Sequence, residues 1–256
     1  MAKNQMIEDY EKGFPVARVE FQNSTIMYGA PNQIAYWRAS TLHTKEPETV
    51  KWVAGFKKDE VFVDVGANIG LYSILAAVHA SARVFAFEPE SENYALLNRN
   101  IRLNNVSDRV VAWCCALTDH RCVDRLYMTN VEAAQSGHEF GAEVDPSLRP
   151  TKAAFAQGSL GYSLDEFVAL KALPAPNHIK IDVDGIEHLV VKGAQETFAR
   201  QELKSVLIEI SPHIEEHVKL IETMATLGFA FDPDQVERAT RKEGSTKGFA
   251  EYIFQR

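Results

Sequence analysis

Cysteine is scarce: Cys114, Cys115 and Cys122 are the only three among 256 residues. An odd count with two adjacent excludes a disulfide framework, and a reducing, cytoplasmic setting is the simplest expectation. No Cys-x-x-Cys pair occurs, so the thiols read as buried or half-buried side chains rather than zinc ligands. No run of 18 apolar residues exists, so no transmembrane helix is expected. The first ten residues lack the apolar stretch of a secretory signal. Basic residues are outnumbered, 27 Lys and Arg against 35 Asp and Glu, for a net charge of −8. A non-specific nucleic-acid binder needs the opposite balance to displace counterions from phosphates. What is present is 46% hydrophobic residues, enough for a packed core and too many for a disordered chain. One large α/β domain, or one with a small appendage, is the expected size class.

Periodicity divides the chain. Residues 1–60 alternate poorly and read as an irregular or helical segment lying over the active site. Within them, Thr44-Lys-Glu-Pro-Glu-Thr49 looks like a helix start, because a Pro in the first turn loses no hydrogen bond. Val61-Phe-Val-Asp-Val65 is a β-branched run, read as a buried strand. It breaks at Gly66-Ala-Asn-Ile-Gly70, and Leu71, Ile74, Leu75 and Val78 then mark one helix face. Arg83–Phe87 and Val110–Cys114 read as further strands, separated by a helix that Ser91 can cap. The β-α-β-α-β order implies a parallel sheet with right-handed crossovers. Residues 118–177 interrupt it and are too long for a plain connection. Strands near Val123–Met128 and Ala154–Gln157 and a helix over 164–170 are expected there, in a lid or substrate-shaping insertion. Alternation resumes with a strand Ile179–Val183, a helix Ile186–Phe198, a strand Ser205–Ile210 and a helix Ile214–Leu227 that Gly228 can cap. Residues 229–232 and 250–254 read as a closing antiparallel pair. Residues 61–256 are therefore expected to form one sheet, and the chain one structural domain.

The chemistry concentrates at strand ends. Asp64-x-Gly66-x-Asn68-x-Gly70 follows a buried strand and opens a helix, where open α/β sheets bind ligands. Asn68 stands where a dinucleotide fingerprint has its second glycine, and no Gly-Lys-Ser/Thr follows, so a pyrophosphate fits poorly. Asp64 at the strand end suits a cationic ammonium instead. Glu88, in Phe87-Glu-Pro89, lies 18 residues past Gly70 and can accept hydrogen bonds from both ribose hydroxyls of a nucleoside. A nucleoside with an amino-acid ammonium and no pyrophosphate describes S-adenosylmethionine (SAM).

Val63-Asp-Val-Gly-Ala-Asn-Ile-Gly70 and Phe87-Glu-Pro89 resemble the cofactor motifs of class I SAM-dependent methyltransferases. Thr44–Thr49, Ala116-Leu117, Ser163-Leu-Asp-Glu166 and Ile179-Lys-Ile-Asp-Val-Asp-Gly-Ile-Glu187 with Lys192-Gly-Ala194 are similar to the blocks of one family, the FkbM-type methyltransferases. The likeness covers roughly residues 40–210. It implies a Rossmann-like fold: a mostly parallel seven-stranded sheet, helices on both faces, and an insertion between the third and fourth core strands. It implies a SAM-dependent enzyme that methylates a hydroxyl of a sugar or natural-product-like small molecule and releases S-adenosylhomocysteine (SAH). By the family pattern Asp64, Gly66, Asn68, Gly70 and Glu88 would line the cofactor, with Ala116 and Leu117 near adenine. A homo-oligomer is compatible with this reading.

Asp182 and Asp184 share parity at the end of their strand, and Glu187 follows in the next helix. They can take a proton from a substrate hydroxyl, hold a hard cation, or favour the helix N-terminus. Asp182 and Asp184 are the candidate catalytic carboxylates, Asp182 also a cofactor contact, and no metal is predicted. Among eight histidines, His213 just past a parallel strand is the candidate base, and Glu209 ends that strand. Two alternatives stay open: a SAM-binding pseudoenzyme or partner subunit, and an NAD-dependent oxidoreductase, which the broken glycine pattern disfavours.

Overall fold

The computed structural model describes residues 6, 13–145, 148–244 and 246–256. Residues 16–29 are extended rather than helical. β1 (Val16–Phe21) and β2 (Ser24–Gly29) form an antiparallel hairpin, turned by Gln22 at φ 49°. This corrects the irregular reading at residues 16–29, and residues 1–5 and 7–12 lie outside those described. Ala17, Val19 and Phe21 alternate inward, but a small alanine and an exposed Val16 blur the two-residue period. The hairpin is tied to the helix 91–103 by asparagines: Met27 N–H donates to Asn104 Oδ1 (2.8 Å) and Gly29 N–H to Asn100 Oδ1 (2.7 Å). Three helices follow, α1 (Gln33–Ser40), α2 (Leu42–Lys45) and α3 (Pro47–Ala54). Pro47 opens the last of these.

β3 (Val61–Val65), α4 (Leu71–His79), β4 (Arg83–Phe87), α5 (Ser91–Leu103) and β5 (Val110–Trp113) follow the expected alternation. Glu90, not Ser91, caps α5, its carboxylate accepting from Glu92 and Asn93 N–H. The insertion is a second sheet of four strands, β6 (Ala116–Leu117), β7 (Cys122–Met128), β8 (His138–Phe140) and β9 (Phe155–Tyr162), ordered β6-β9-β7-β8. α6 (Leu164–Ala169) carries a complete capping box between Ser163 and Glu166. β10 (His178–Ile181) re-enters the main sheet. The single helix expected over 186–198 is two, α7 (Glu187–Lys192) and α8 (Gln195–Phe198). Gly193 stands between them, and only glycine fits there because a Cβ would run into the carbonyl oxygen of Thr118. β11 (Ser205–Ile210), α9 (Glu215–Thr226), β12 (Ala230–Phe231), α10 (Pro233–Ala239) and β13 (Ala250–Gln255) complete the chain. Gly228 at φ 83° ends α9.

The main sheet has seven strands in the order β12-β13-β11-β10-β3-β4-β5. β3, β4, β5, β10 and β11 pair in parallel, and β13 is antiparallel to both its neighbours. Each face is covered. Phe62, Val84 and Leu207 pack with α3, α4 and α5, while Val63, Phe85, Ile179 and Ile208 pack with α6 to α9. Buried parallel strands need apolar residues on both sides, and VFVDV obeys this except at Asp64. No helix among the described residues is long and apolar enough to cross a membrane.

The candidate active site

The carboxyl ends of β3, β4, β10 and β11 open into a cavity of about 580 Å³. Gly66, at φ 77°, turns the chain out of β3. A Cβ at this position would collide with the carbonyl oxygen of Asp182, so only glycine lets the two strand ends meet. Gly66 and Ala67 N–H both donate to the Phe87 carbonyl, at 3.0 Å each. Asn68 N–H then donates to Glu88 Oε2 (2.7 Å), and Glu90 N–H to Glu88 Oε1 (2.9 Å). Glu88 is therefore held by the backbone of the very loop it faces. Burial pushes its carboxyl up to about 7, against these two hydrogen bonds. Gly66, Asn68, Glu88, Ala116, Leu117, Asp182 and Asp184 all line the cavity.

Three named residues lie elsewhere. Asp64 is 1% exposed and turned inward: Ser73 Oγ donates to its Oδ2 at 2.6 Å, and its Oδ1 has no partner. Gly70 packs under Leu97. His213 sits beside Gly248 and is not part of the cavity wall. Glu187, expected beside Asp182 and Asp184, folds back instead. Its carboxylate accepts from Val183 and Gly185 N–H and pairs with His217 Nε2 at 2.9 Å. Glu209 takes its place: one oxygen each of Asp182, Asp184 and Glu209 lies within 4.8 Å of the others.

Parity explains this grouping. Lys180 is the register partner of Asp64 on one side and of Leu207 on the other. On this face the apolar residues give way, towards the carboxyl ends, to a charged row. Lys180, 2% exposed, donates to Asp182 Oδ2 at 2.6 Å. Arg241 pairs with Glu209 (2.5 Å) and Glu251 (2.7 Å). Tyr72 Oη donates to Glu46 Oε2 at 2.6 Å, and Lys45 pairs with Glu46 at 2.7 Å. Burial would raise Asp182, but the Lys180 ammonium wins and holds it at about 2. Glu209 is pushed well up, by burial and then by the Asp182 charge. Asp184 is raised to about 6 for the same two reasons, although Gly137 N–H donates to its Oδ2 at 2.7 Å. Five carboxylates (Glu46, Asp64, Asp182, Glu209, Glu251) thus share three cations (Lys45, Lys180, Arg241). Such a wall favours a cationic ligand. Three clustered carboxylates also have the chemistry of a hard-cation site, but Lys180 and Arg241 already engage two of them.

A strap of residues 129–137 crosses the cavity between β7 and β8. Arg38 Nε donates to the Ala134 carbonyl (2.5 Å), Asn32 Nδ2 to Ala133 (2.9 Å), and Asn68 Nδ2 to Gln135 (2.6 Å). Trp37, Arg38 and Lys45 line the same cavity, so the segment before β3 does reach the site.

The model of the methyltransferase FkbM domain matches residues 64–231, which run from the end of β3 to β12. The chain belongs to this family. Hexuronic acid methyltransferase AglP of Haloferax volcanii is 28% identical over 177 residues, 68% of this chain and 65% of that protein. Methyltransferase sdnD of Sordaria araneosa is 27% identical over 165 residues, 56% of this chain and 64% of that one. The chain thus spans just under two thirds of the length of these relatives. The solved methyltransferase FkbM of Methylobacillus flagellatus superposes with a TM-score of 0.50 at 16% identity, over 88% of this chain and 54% of that one. The fold of this family member is the Rossmann-like class I methyltransferase fold.

One buried group has no place in this scheme. Glu139 on β8 is 0% exposed and neither carboxylate oxygen has a partner. Burial, then the charges of Asp184 and Glu187, hold its carboxyl up to about 10. The folded state therefore keeps a proton that the unfolded chain releases near 4.5. The contribution of Glu139 to stability is complete below that value and falls as pH rises towards about 10. Glu139→Gln is expected to raise the melting temperature at pH 8 by several degrees, for a gain of about 2 kcal/mol or more. The gain should shrink towards pH 5, and melting curves showing a pH-independent difference would contradict the assignment.

Proposed function

We propose that the protein transfers a methyl group from SAM to a hydroxyl oxygen of a sugar or natural-product-like small molecule, leaving SAH. The observation that carries the reading is the pairing of two features in one cavity. Glu88, locked by Asn68 and Glu90 N–H, keeps lone pairs for ribose hydroxyls. An acid-rich wall around Asp182 stands ready for the cofactor's cationic end. Gly66 lets the backbone approach closely, and Ala116 and Leu117 offer small apolar surface to a base.

SAM would supply an activated, electrophilic methyl group. The chain's own task is then alignment, exclusion of water, and removal of one proton. Asp184 is the residue suited to the last task. Gly137 N–H fixes one of its oxygens, and its value of about 6 lies near operating pH, where a base works best. Asp182 is pinned by Lys180 and positions rather than titrates. His213 lies outside the cavity wall and takes no part in this reading. The relative that methylates hexuronic acid, by its name, supports a sugar acceptor.

The test is SAH titration by calorimetry followed by tritiated methyl transfer from SAM to a panel of glycosides. We expect micromolar SAH binding and a rate that rises through about pH 6. Asp184→Asn should lower kcat by about 100-fold with SAH binding intact. Absence of SAH binding would refute the cofactor reading. Unchanged kcat in Asp184→Asn would refute the base.

A further inference from the structure

One cation of the cavity has no partner of opposite charge. Arg38, on α1, lines it beside Trp37. Its Nε donates to the Ala134 carbonyl, which fixes the guanidinium plane and leaves both Nη groups uncommitted. No carboxylate among the described residues forms an ion pair with it. Lys45 and Arg241, the other cations of the wall, are both paired with glutamates. A guanidinium partly withdrawn from water is normally paired, and its planar fork matches a carboxylate bidentately.

Trp37 adds a second element. It is 48% exposed although it lines the cavity, which places it at the rim. Its indole offers a flat apolar face to the C–H face of a sugar ring, with a polar edge left in water. The Lys45 ammonium, paired with Glu46, lies 5.9 Å from the ring centroid. The carboxylates Asp182, Asp184 and Glu209 lie together at the strand ends, while the unpaired Arg38 stands beside the Trp37 ring on another wall of the cavity. Arg38 and Asp184 line the same cavity, so one ligand can touch both.

We propose that Arg38 and Trp37 form an acceptor subsite for a sugar acid, its ring on Trp37, its carboxylate on Arg38 and its reacting hydroxyl towards Asp184. This rests on the methyl-transfer reading. It goes further by naming an anionic acceptor and the residues that select it.

The experiment compares kcat/KM for matched pairs of p-nitrophenyl glycosides: glucuronide with glucoside, galacturonide with galactoside, mannuronide with mannoside. We expect at least one uronide to exceed its neutral partner by about 30-fold, and Arg38→Gln to cut that ratio about tenfold. SAH affinity in Arg38→Gln, read by calorimetry, should stay within about twofold. Asn32→Ser is the control. It keeps an N-cap on α1 but removes the Asn32 tether to Ala133, so it loosens the strap without touching the Arg38 charge. Its ratio should match the wild type. Failure of every uronide to outperform its neutral partner, including no turnover of any uronide by enzyme that binds SAH, overturns the proposal and leaves the cofactor reading standing. An unchanged ratio in Arg38→Gln overturns it too. Equal loss of SAH affinity would move the carboxylate from the acceptor to the cofactor. A wild type that binds no SAH removes both readings together.

Discussion

Glu88→Ala is expected to weaken SAH binding by about 100-fold or more, because two charge-assisted hydrogen bonds to a ribose are worth that much. The substitution should also cost stability in the free protein. Asn68 and Glu90 N–H both donate to this carboxylate, and each would be left buried without an acceptor, at about 1–3 kcal/mol apiece. Glu88→Gln keeps one acceptor and turns an amide towards the other, so it should fall between. The wild type carries a further signature. Burial raises Glu88 to about 7, and ribose hydroxyls donate to the ionised form. SAH affinity should therefore climb between about pH 6 and 8 and flatten above. Calorimetry across that window checks it. A slope that survives in Glu88→Ala would assign the titration to another group.

Asp182→Ala should destabilise the protein by about 3–5 kcal/mol, the usual cost of leaving one partner of a buried ion pair alone. Lys180 would then sit 2% exposed, facing only Asp64 and Glu46 at longer range. Methyl transfer should fall with it, but an unfolded protein also transfers nothing. The informative variant is Asp182→Leu with Lys180→Met, which replaces the pair by apolar volume. Its stability should recover part of the loss, since Asp64 and Glu46 also lose the Lys180 charge, while activity stays at least about 100-fold down. Denaturant melts give the first quantity and initial rates the second. Recovery of activity in the double variant would show that Asp182 serves only the fold.

The strands of the main sheet were readable because doubly covered parallel strands leave nearly unbroken apolar runs, as in VFVDV and SVLIEI. The glycine loop and Glu88 were readable for a different reason: their geometry is local, set by positive φ and by one β-α-β crossover. The charged row was only half readable. Alternation in IKIDVD puts Lys180 and Asp182 on one side, yet Arg241, Glu251 and Glu46 join them through β13 and the segment before β3, far apart in sequence. Glu187 was misplaced because its spacing from Asp184 says nothing of His217, which captures it from α9. Asp64 was read towards the ligand, but Ser73 on α4 draws it inward. The glycine at 193 is required by Thr118, a neighbour that no helical periodicity contains. β8, only three residues long, is too short to show any period.

The strap over the cavity is fastened almost wholly through its main chain: the carbonyls of Ala133, Ala134 and Gln135 and the amide of Gly137. Only Ala134, fully buried at φ 71°, has its side chain dictated by neighbours. Val131 and Glu132, exposed and outside the cavity wall, are under no such obligation. Lineages can therefore rewrite the cover's outward letters while inheriting the clasp, which lets one cofactor chamber be handed down beneath successive lids of different taste.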